Sequence, residues 1–463
     1  MTGNHLPDAG PAARAAASRP SLRKAMTAAI IGTVIEWYDY GLYGAAAGLI
    51  IGPLFFPEAI SSAASLAAFA TFAVGFIIRP LGGVVIGHVG DRFGRKPAML
   101  LSVILMGAAT VCIGLLPTAV AIGAWAPLLL VAMRCLQGFG AGAELAGAMT
   151  LVAEYAPARR RGFYTSLVLA TPPAGIVLAT LSFFLFSRLP DNGFMAWGWR
   201  VPFLLSAALF FVAIYIRKNL DETPAYQNAL ESSQRAAQAK LPLVELFRSN
   251  TSGVVLGFLS ITGHNALNYI MAAFALNFMT SPAVGVPASD ALLAVTIGSV
   301  FGILGAPVGG WASDRFGASR VMAFGAAAGL LFAFPLFAAL ESGSTLRATI
   351  AIAVGYGCVI GATSGSQGAF LTNLFPTASR FSGVAVAREL NGALVAGFSP
   401  LIALALITWA NGASWAAAAY LSACCLVSLV AVLAARGRGN QAAVEPSGHG
   451  AAVASTASRD PKA

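Results

Sequence analysis

Apolar runs long enough to cross a bilayer fill the chain from about residue 26 to about residue 435, cut only by short charged or Pro/Gly/Asn breaks. A helix needs about 20 such residues to span the hydrocarbon, so each run predicts one membrane helix. The predicted spans are about 26–51, 63–86, 98–117, 124–149, 163–186 and 201–217. Six more follow at about 253–279, 290–312, 321–340, 347–372, 383–408 and 414–435. The pattern predicts an all-α integral membrane protein of twelve transmembrane helices in two pseudo-symmetric six-helix bundles. Its expected organisation is a tail over 1–25, a first bundle over 26–217, a linker over 218–250, a second bundle over 251–435 and a tail over 436–463. The polar stretch Gln227-Asn-Ala-Leu-Glu231-Ser-Ser-Gln234-Arg235 marks that linker. Pro172-Pro173 is expected to break or kink the fifth span.

The halves also share a charged hairpin. Gly87-His-Val-Gly-Asp91-Arg92-Phe93-Gly94-Arg95-Lys96 returns half a chain later as Gly310-Trp-Ala-Ser-Asp314-Arg315-Phe316-Gly317-Ala-Ser-Arg320. Parallel halves of this kind arise by duplication of a membrane unit and are a mark of transporters.

Composition agrees. Of 463 residues, 57% are hydrophobic and only 10% are Asp, Glu, Lys or Arg, against roughly 25% charged in soluble domains. The mean hydropathy is +0.77. The net charge of +10 lies in short loops rather than on one face, which argues against nucleic acid and for orientation signals. With the N-terminus inside, Arg92, Arg95, Lys96, Arg159, Arg160, Arg161, Arg315, Arg320 and Arg380 all fall on the cytoplasmic side, and only Arg188, Arg200 and Arg347 fall outside. Both termini are therefore expected in the cytoplasm, with no cleavable signal peptide. The five cysteines sit in apolar segments without metal-ligand spacing, and no phosphate loop or nucleophile motif occurs. No enzyme activity, metal or cofactor is expected.

A charge inside a bilayer needs a partner or a task. The spans contain Glu36, Asp39, Arg79, Arg134, Glu144, Arg388 and Glu389. Glu36 and Asp39, three residues apart, share a helix face. Two carboxylates close together in a low dielectric are hard to keep charged at once, which suits a group that takes up and releases a proton. Pairing of Asp39 with Arg134 would couple that proton to movement, or would be a permanent ion pair that fixes packing. Uncharged polar residues mark a wet cavity: His264, Asn265, Asn268 and Tyr269 in the seventh span, Gln367 in the tenth and Asn391 in the eleventh. Arg388 and Glu389 are neighbours about 100° apart on their helix and neutralise one another poorly, so one of them needs a partner on another helix or a ligand; Arg388 would bind a ligand, snorkel to the surface or pair with Glu389.

The motifs together resemble the major facilitator superfamily, in its metabolite:proton symporter branch. They are Glu36-Trp-Tyr-Asp39-Tyr-Gly-Leu-Tyr-Gly, Arg79-Pro-Leu-Gly-Gly, Arg134-Cys-Leu-Gln137-Gly-Phe-Gly-Ala-Gly-Ala-Glu144, Glu154…Pro157-Ala-Arg-Arg160-Arg-Gly, Trp197-Gly-Trp-Arg200-Val-Pro-Phe and Phe375-Pro-Thr-Ala-Ser-Arg380. The resemblance implies rocker-switch alternating access around a central cavity in a bacterial inner membrane, in a monomer whose partners are a small molecule, protons and lipid. It implies proton coupling through Asp39, Arg134 and Glu36. The substrate would be held by Arg79, Tyr43, His264, Asn265, Asn268, Tyr269, Gln367, Arg388 and Asn391. Gating would fall to Gly87, Asp91, Arg92, Gly94, Arg95, Glu144, Glu154, Arg160, Asp314, Arg315, Gly317 and Arg380, with Asp91 and Asp314 set against helix N-termini. The expected function is proton-coupled uptake of a small organic acid. The alternatives are uptake of a zwitterion such as proline or betaine, and a non-transporting ligand sensor.

Overall fold

A computed structural model describes residues 11–57, 59, 61–93, 95–142, 145, 148–149, 152–153, 156–190, 193–219, 242–376 and 379–436. The long helices of the first half are α1 (Pro11–Leu49), α2 (Ser61–Phe93), α3 (Arg95–Leu115), α4 (Trp125–Gly140), α5 (Arg161–Ser187) and α6 (Arg200–Asn219). In the second half, α7 starts as Pro242–Ser260 and continues through Thr262–Tyr269, the wide turn Ile270–Phe274 and Ala275–Thr280. There follow α8 (Ala288–Phe316), α9 (Ala318–Glu341), α10 (Thr345–Asn373), α11 (Arg380–Trp409) and α12 (Trp415–Ala434). Eight of these, α2, α5, α6 and α8 to α12, lie on stretches long and apolar enough to cross a membrane.

The helices are inside out relative to a soluble protein. Leu81 and Val84 of α2, Leu304 and Val308 of α8, and Phe324 and Leu331 of α9 face outward. Asp39, Arg134, Gln137, Gln367 and Asn391 are fully buried, at 0% exposure. That distribution is stable only where the surrounding solvent is itself apolar.

Packing sorts the helices into two groups. In the first, α1 lies on α5 and α6, α2 on α3 and α4, and α3 on α4 and α6. The second repeats the scheme, with α7 on α11 and α12, α8 on α9 and α10, and α9 on α10 and α12. The groups meet where α8 and α10 cross α5, α2 crosses α11, and α1 crosses α7. Small residues permit the closest approaches, because backbones can touch only where no side chain intervenes. A Cβ added at Gly305 or Gly309 of α8 would run into the backbone of Gly357 or Gly361 on α10.

Helical structure reaches beyond two of the expected spans, and the expected bend in the fifth is present. The first helix is already formed at Pro11, the first described residue, ahead of the span expected from about 26, since the polar stretch before the span is rich in alanine, a strong helix former. The seventh is already helical at Pro242, the first described residue after 219, and Asn250 (φ −142°) bends it where the polar turn meets the span. The bend in α5 falls at Ala170, with Pro172 and Pro173 in the first turn of the following segment. Residues 1–10, 220–241 and 437–463 of the expected tails and linker lie outside the described residues.

Replacing Gly309 by Val is expected to overpack the α8–α10 contact at a cost of about 1–3 kcal/mol. The thermal midpoint of the detergent-purified protein should fall. An unchanged midpoint would show that the two helices are not held by this approach.

Candidate functional site

Where the two groups meet, Arg79 of α2 is buried with two carboxylates. Its Nε donates to Glu389 Oε2 at 3.0 Å and its Nη2 to Glu389 Oε1 at 3.3 Å. Nη2 also reaches Glu36 Oε1 of α1 at 3.4 Å. The Tyr40 and Phe76 rings lie 4.9 and 5.6 Å from the guanidinium carbon. Glu389 belongs to α11, so this two-pronged pair joins one half of the molecule to the other.

Asp39 takes part in a separate network inside the first half. Its Oδ1 accepts from Thr110 of α3, and its Oδ2 accepts from Gln137 Nε2 of α4 at 2.5 Å. Gln137 Oε1 in turn accepts from Arg134 Nη1. Arg134 donates further to the carbonyls of Phe72 (3.0 Å) and Thr71 (3.4 Å) and lies 3.8 Å above the Tyr43 ring. Two sequence readings bear on this geometry. Glu36 and Asp39 reach different helices here, since positions three apart are still turned about 60° from each other. Asp39 and Arg134 are not in direct contact; the Gln137 amide stands between them.

The Asp39 environment can accept a proton without rebuilding. Thr110 Oγ1 also lies 2.9 Å from the Met106 carbonyl. Its hydroxyl can donate to the charged carboxylate, or turn to Met106 and accept from the protonated acid. Both direct partners of Asp39 are neutral, so protonation strands no counter-charge in contact with it.

In the second half, Arg388 Nη1 donates to Gln367 Oε1 of α10. Gln367 Nε2 is buried without a hydrogen-bond partner among the described residues. Asn391 accepts from Asn265 Nδ2 at 2.6 Å and donates to Thr262 Oγ1 at 3.0 Å and the Phe258 carbonyl at 2.8 Å. His264 turns away from this group: its Nδ1 lies 2.8 Å from Thr363 Oγ1, beside a water-sized gap inside the second half lined by Gly325, Val359 and Cys425. Asn268 is buried and its carbonyl accepts from Tyr356 at 3.4 Å. Tyr43 OH meets Thr71 Oγ1 at 2.7 Å, inside the first half.

Aromatic rings close the space between the halves. Tyr269 of α7 stacks on Trp37 at 6.0 Å and meets the edges of Phe76 and Phe72 at 5.2 and 5.9 Å. The gap lined by Trp37, Tyr40, Phe72 and Tyr269 is also water-sized. The molecule is shut on both sides of this layer. Toward one end, Thr296 of α8 donates to Thr180 of α5 at 2.7 Å, and Asn277 of α7 donates to the Gly48 carbonyl of α1 at 3.1 Å. At the other, arginine-rich end, Asp314 of α8 accepts from the backbone N–H groups of Gly162 (2.7 Å) and Phe163 (2.9 Å).

Those two N–H groups open α5, where unpaired donors and the helix dipole favour an anion. Asp314 thus caps a helix of the opposite half. Gly162 has no room for a side chain here, since a Cβ would lie 2.7 Å from Asp314 Oδ1. Gly317, at φ +93°, breaks α8 from α9 in a backbone region that favours glycine. Arg315 lies over Trp311 and Phe316 at 5.7 and 5.8 Å, Arg160 is exposed, and Arg380 Nε donates to the Thr372 carbonyl at 2.9 Å. Gly94, Glu144 and Glu154 lie outside the described residues, as do the side chains of Asp91, Arg92 and Arg95 and the surroundings of Gly87.

Sequence reasoning gave no role to Thr110 or Gln137, which hold Asp39, and it singled out Glu389 without finding its partner Arg79. The available signal for the first two was a polar side chain in an apolar run, with no reason to be there except a partner.

The profile of the Major Facilitator Superfamily matches residues 26–400. The chain is 39% identical over 420 residues to the shikimate transporter of Escherichia coli (strain K12), covering 89% of this chain and 94% of that one. It is 36% identical over 402 residues to the proline/betaine transporter of Salmonella typhimurium, covering 83% and 78%. Among solved structures it is similar to the xylose transporter XylE from E. coli in a partially occluded inward-open conformation, with a TM-score of 0.70, 17% identity, and coverage of 92% and 99%.

Replacing Asp314 by Ala removes a cap of the kind worth about 0.5–2 kcal/mol. Hydrogen exchange at Gly162 and Phe163 should accelerate while α9 and α12 keep their protection. Unchanged exchange at those two amides would exclude the capping role.

Proposed function

The chain belongs to the major facilitator superfamily, as a multi-pass membrane transporter rather than an enzyme, and we propose that it imports a small organic acid together with protons. The observation that carries this reading is the Asp39 site. A fully buried carboxylate held by a reversible hydroxyl and an amide can load and release a proton inside the protein, and the Gln137 bridge passes its charge state to Arg134. A proton on Asp39 weakens the pull on Gln137, which frees Gln137 to grip Arg134 differently and loosens α4 against α1.

A carboxylate substrate is supported by the donors at the meeting of the halves. Arg79, Arg388 and the unpaired Nε2 of Gln367 supply them, with Asn265 and Asn391 beside them. Asp314 and its hairpin serve as the cytoplasmic gate, and both termini lie in the cytoplasm of a bacterial cell whose inner membrane holds the protein as a monomer. A second reading, uptake of a zwitterion such as proline or betaine, is favoured by the ring cluster of Trp37, Tyr40, Phe72, Phe76 and Tyr269. Such faces attract a quaternary ammonium group, and a relative is named for those substrates. Uptake into proteoliposomes under an imposed pH gradient, screened over organic acids and betaines, decides between the two.

Asp39→Asn fixes the neutral form of the carrier. It should preserve exchange of substrate between the two sides and abolish accumulation driven by the gradient. Full accumulation by the variant would remove Asp39 from the coupling.

Arg388→Gln should raise the apparent dissociation constant for an acid by roughly 10- to 150-fold, the worth of one hydrogen bond to a charged group, and should favour neutral or zwitterionic analogues. Unchanged affinity at normal expression would return Arg388 to a structural role.

A further inference from the structure

We propose that Glu389 is a tethered stand-in for the carboxylate of the substrate: it grips Arg79 across the two halves while the site is empty, and an incoming acid displaces it. The inference rests on the organic-acid reading above and adds how the empty site is held and how the acid opens it.

The grip is the one a guanidinium offers any carboxylate. Both oxygens of Glu389 are engaged, at 3.0 and 3.3 Å, from two nitrogens of Arg79. The same edge of Arg79 cannot hold a second carboxylate in that geometry. The gap that Trp37, Tyr40, Phe72 and Tyr269 line in this layer is water-sized, and the edge of Arg79 that an acid would grip is the one Glu389 occupies. When Glu389 leaves, Arg79 keeps contacts within its own half: Glu36 at 3.4 Å and the faces of Tyr40 and Phe76.

The backbone beside Glu389 is irregular. Three residues on, α11 widens into the turn Gly392–Ala396, an irregularity of a kind frequent at functional sites. Gly397 sits so close to α2 that a Cβ there would lie 2.7 Å from Phe76 Cβ. The contact that must separate and the widened turn are therefore adjacent. A displaced Glu389 is an exposed charge in the membrane interior unless water reaches it, so displacement favours parting of the halves.

The test compares Glu389→Gln with Glu36→Gln, which removes the same charge from the same arginine without crossing between halves. Equilibrium binding of a radiolabelled carboxylate that the wild type transports should tighten about tenfold or more in Glu389→Gln, and clearly less in Glu36→Gln. Spin labels at the exposed Val84 and Phe381 should report a longer or broader α2–α11 separation in ligand-free Glu389→Gln, and the same shift in the wild type when the acid is added. Glu389→Asp, which keeps the charge but shortens the reach, should fall between wild type and Gln and serves if the Gln variant fails to fold. Equal tightening in both Gln variants would mean that charge alone matters and would overturn the proposal, as would a folded Glu389→Gln that binds no tighter. If the wild type takes up no carboxylate at all, the organic-acid reading falls and this proposal with it. Normal uptake without tightening defeats this proposal alone.

Discussion

A buried charge must be answered within the protein when the surrounding solvent is hydrocarbon, and the bond between Arg79 and Glu389 is where this rule shapes the molecule most. The two residues come from α2 and α11, one from each half. Breaking such a pair by removing one partner typically costs about 3–5 kcal/mol, because the other charge is left stranded. Among the described residues the two halves otherwise meet through rings, close-packed glycines and hydrogen bonds, the paired bonds from Gly162 and Phe163 to Asp314 among them. Parting the ion pair strands a charge. It therefore sets whether the halves are joined or free at their centre.

Asp39, Gln137 and Arg134 form a second network that stays inside the first half. The division has a physical use. A proton site built wholly within one half can change charge without tearing the interface, whereas a cluster that bridges the halves changes only when they part. The amide of Gln137 links acid to arginine without pairing them outright, so the charge of Asp39 biases Arg134 and does not neutralise it. The outer closures work differently again. Asp314 uses the free N–H groups of α5, so at that point the latch engages backbone rather than another side chain.

Much of this was legible in the sequence. Helix positions followed from apolar length, the two-fold plan from the repeated Asp-Arg-Phe hairpin, and the bend in α5 from Pro172-Pro173. Burial of Asp39, Arg79 and Arg134 could be expected from their place in apolar runs. Partnership could not, because it depends on which way each helix face turns. Position alone suggested Asp39 with Arg134, yet the rotation of α4 brings Gln137 forward instead. His264 shows the same limit, since its helix points it at Thr363 rather than toward Asn265 and Asn391. Helix ahead of the first and seventh spans, already present at Pro11 and Pro242, escaped notice because hydropathy reports where a helix enters the membrane, not where it begins.

The central claim is that proton and substrate move together through one protein. It is tested most directly in unbuffered proteoliposomes with no imposed pH gradient and a pH-sensitive dye inside. Adding the substrate outside should acidify the interior in step with its entry, and a proton ionophore should dissipate the acidification. Substrate entry with no change of internal pH would contradict the account.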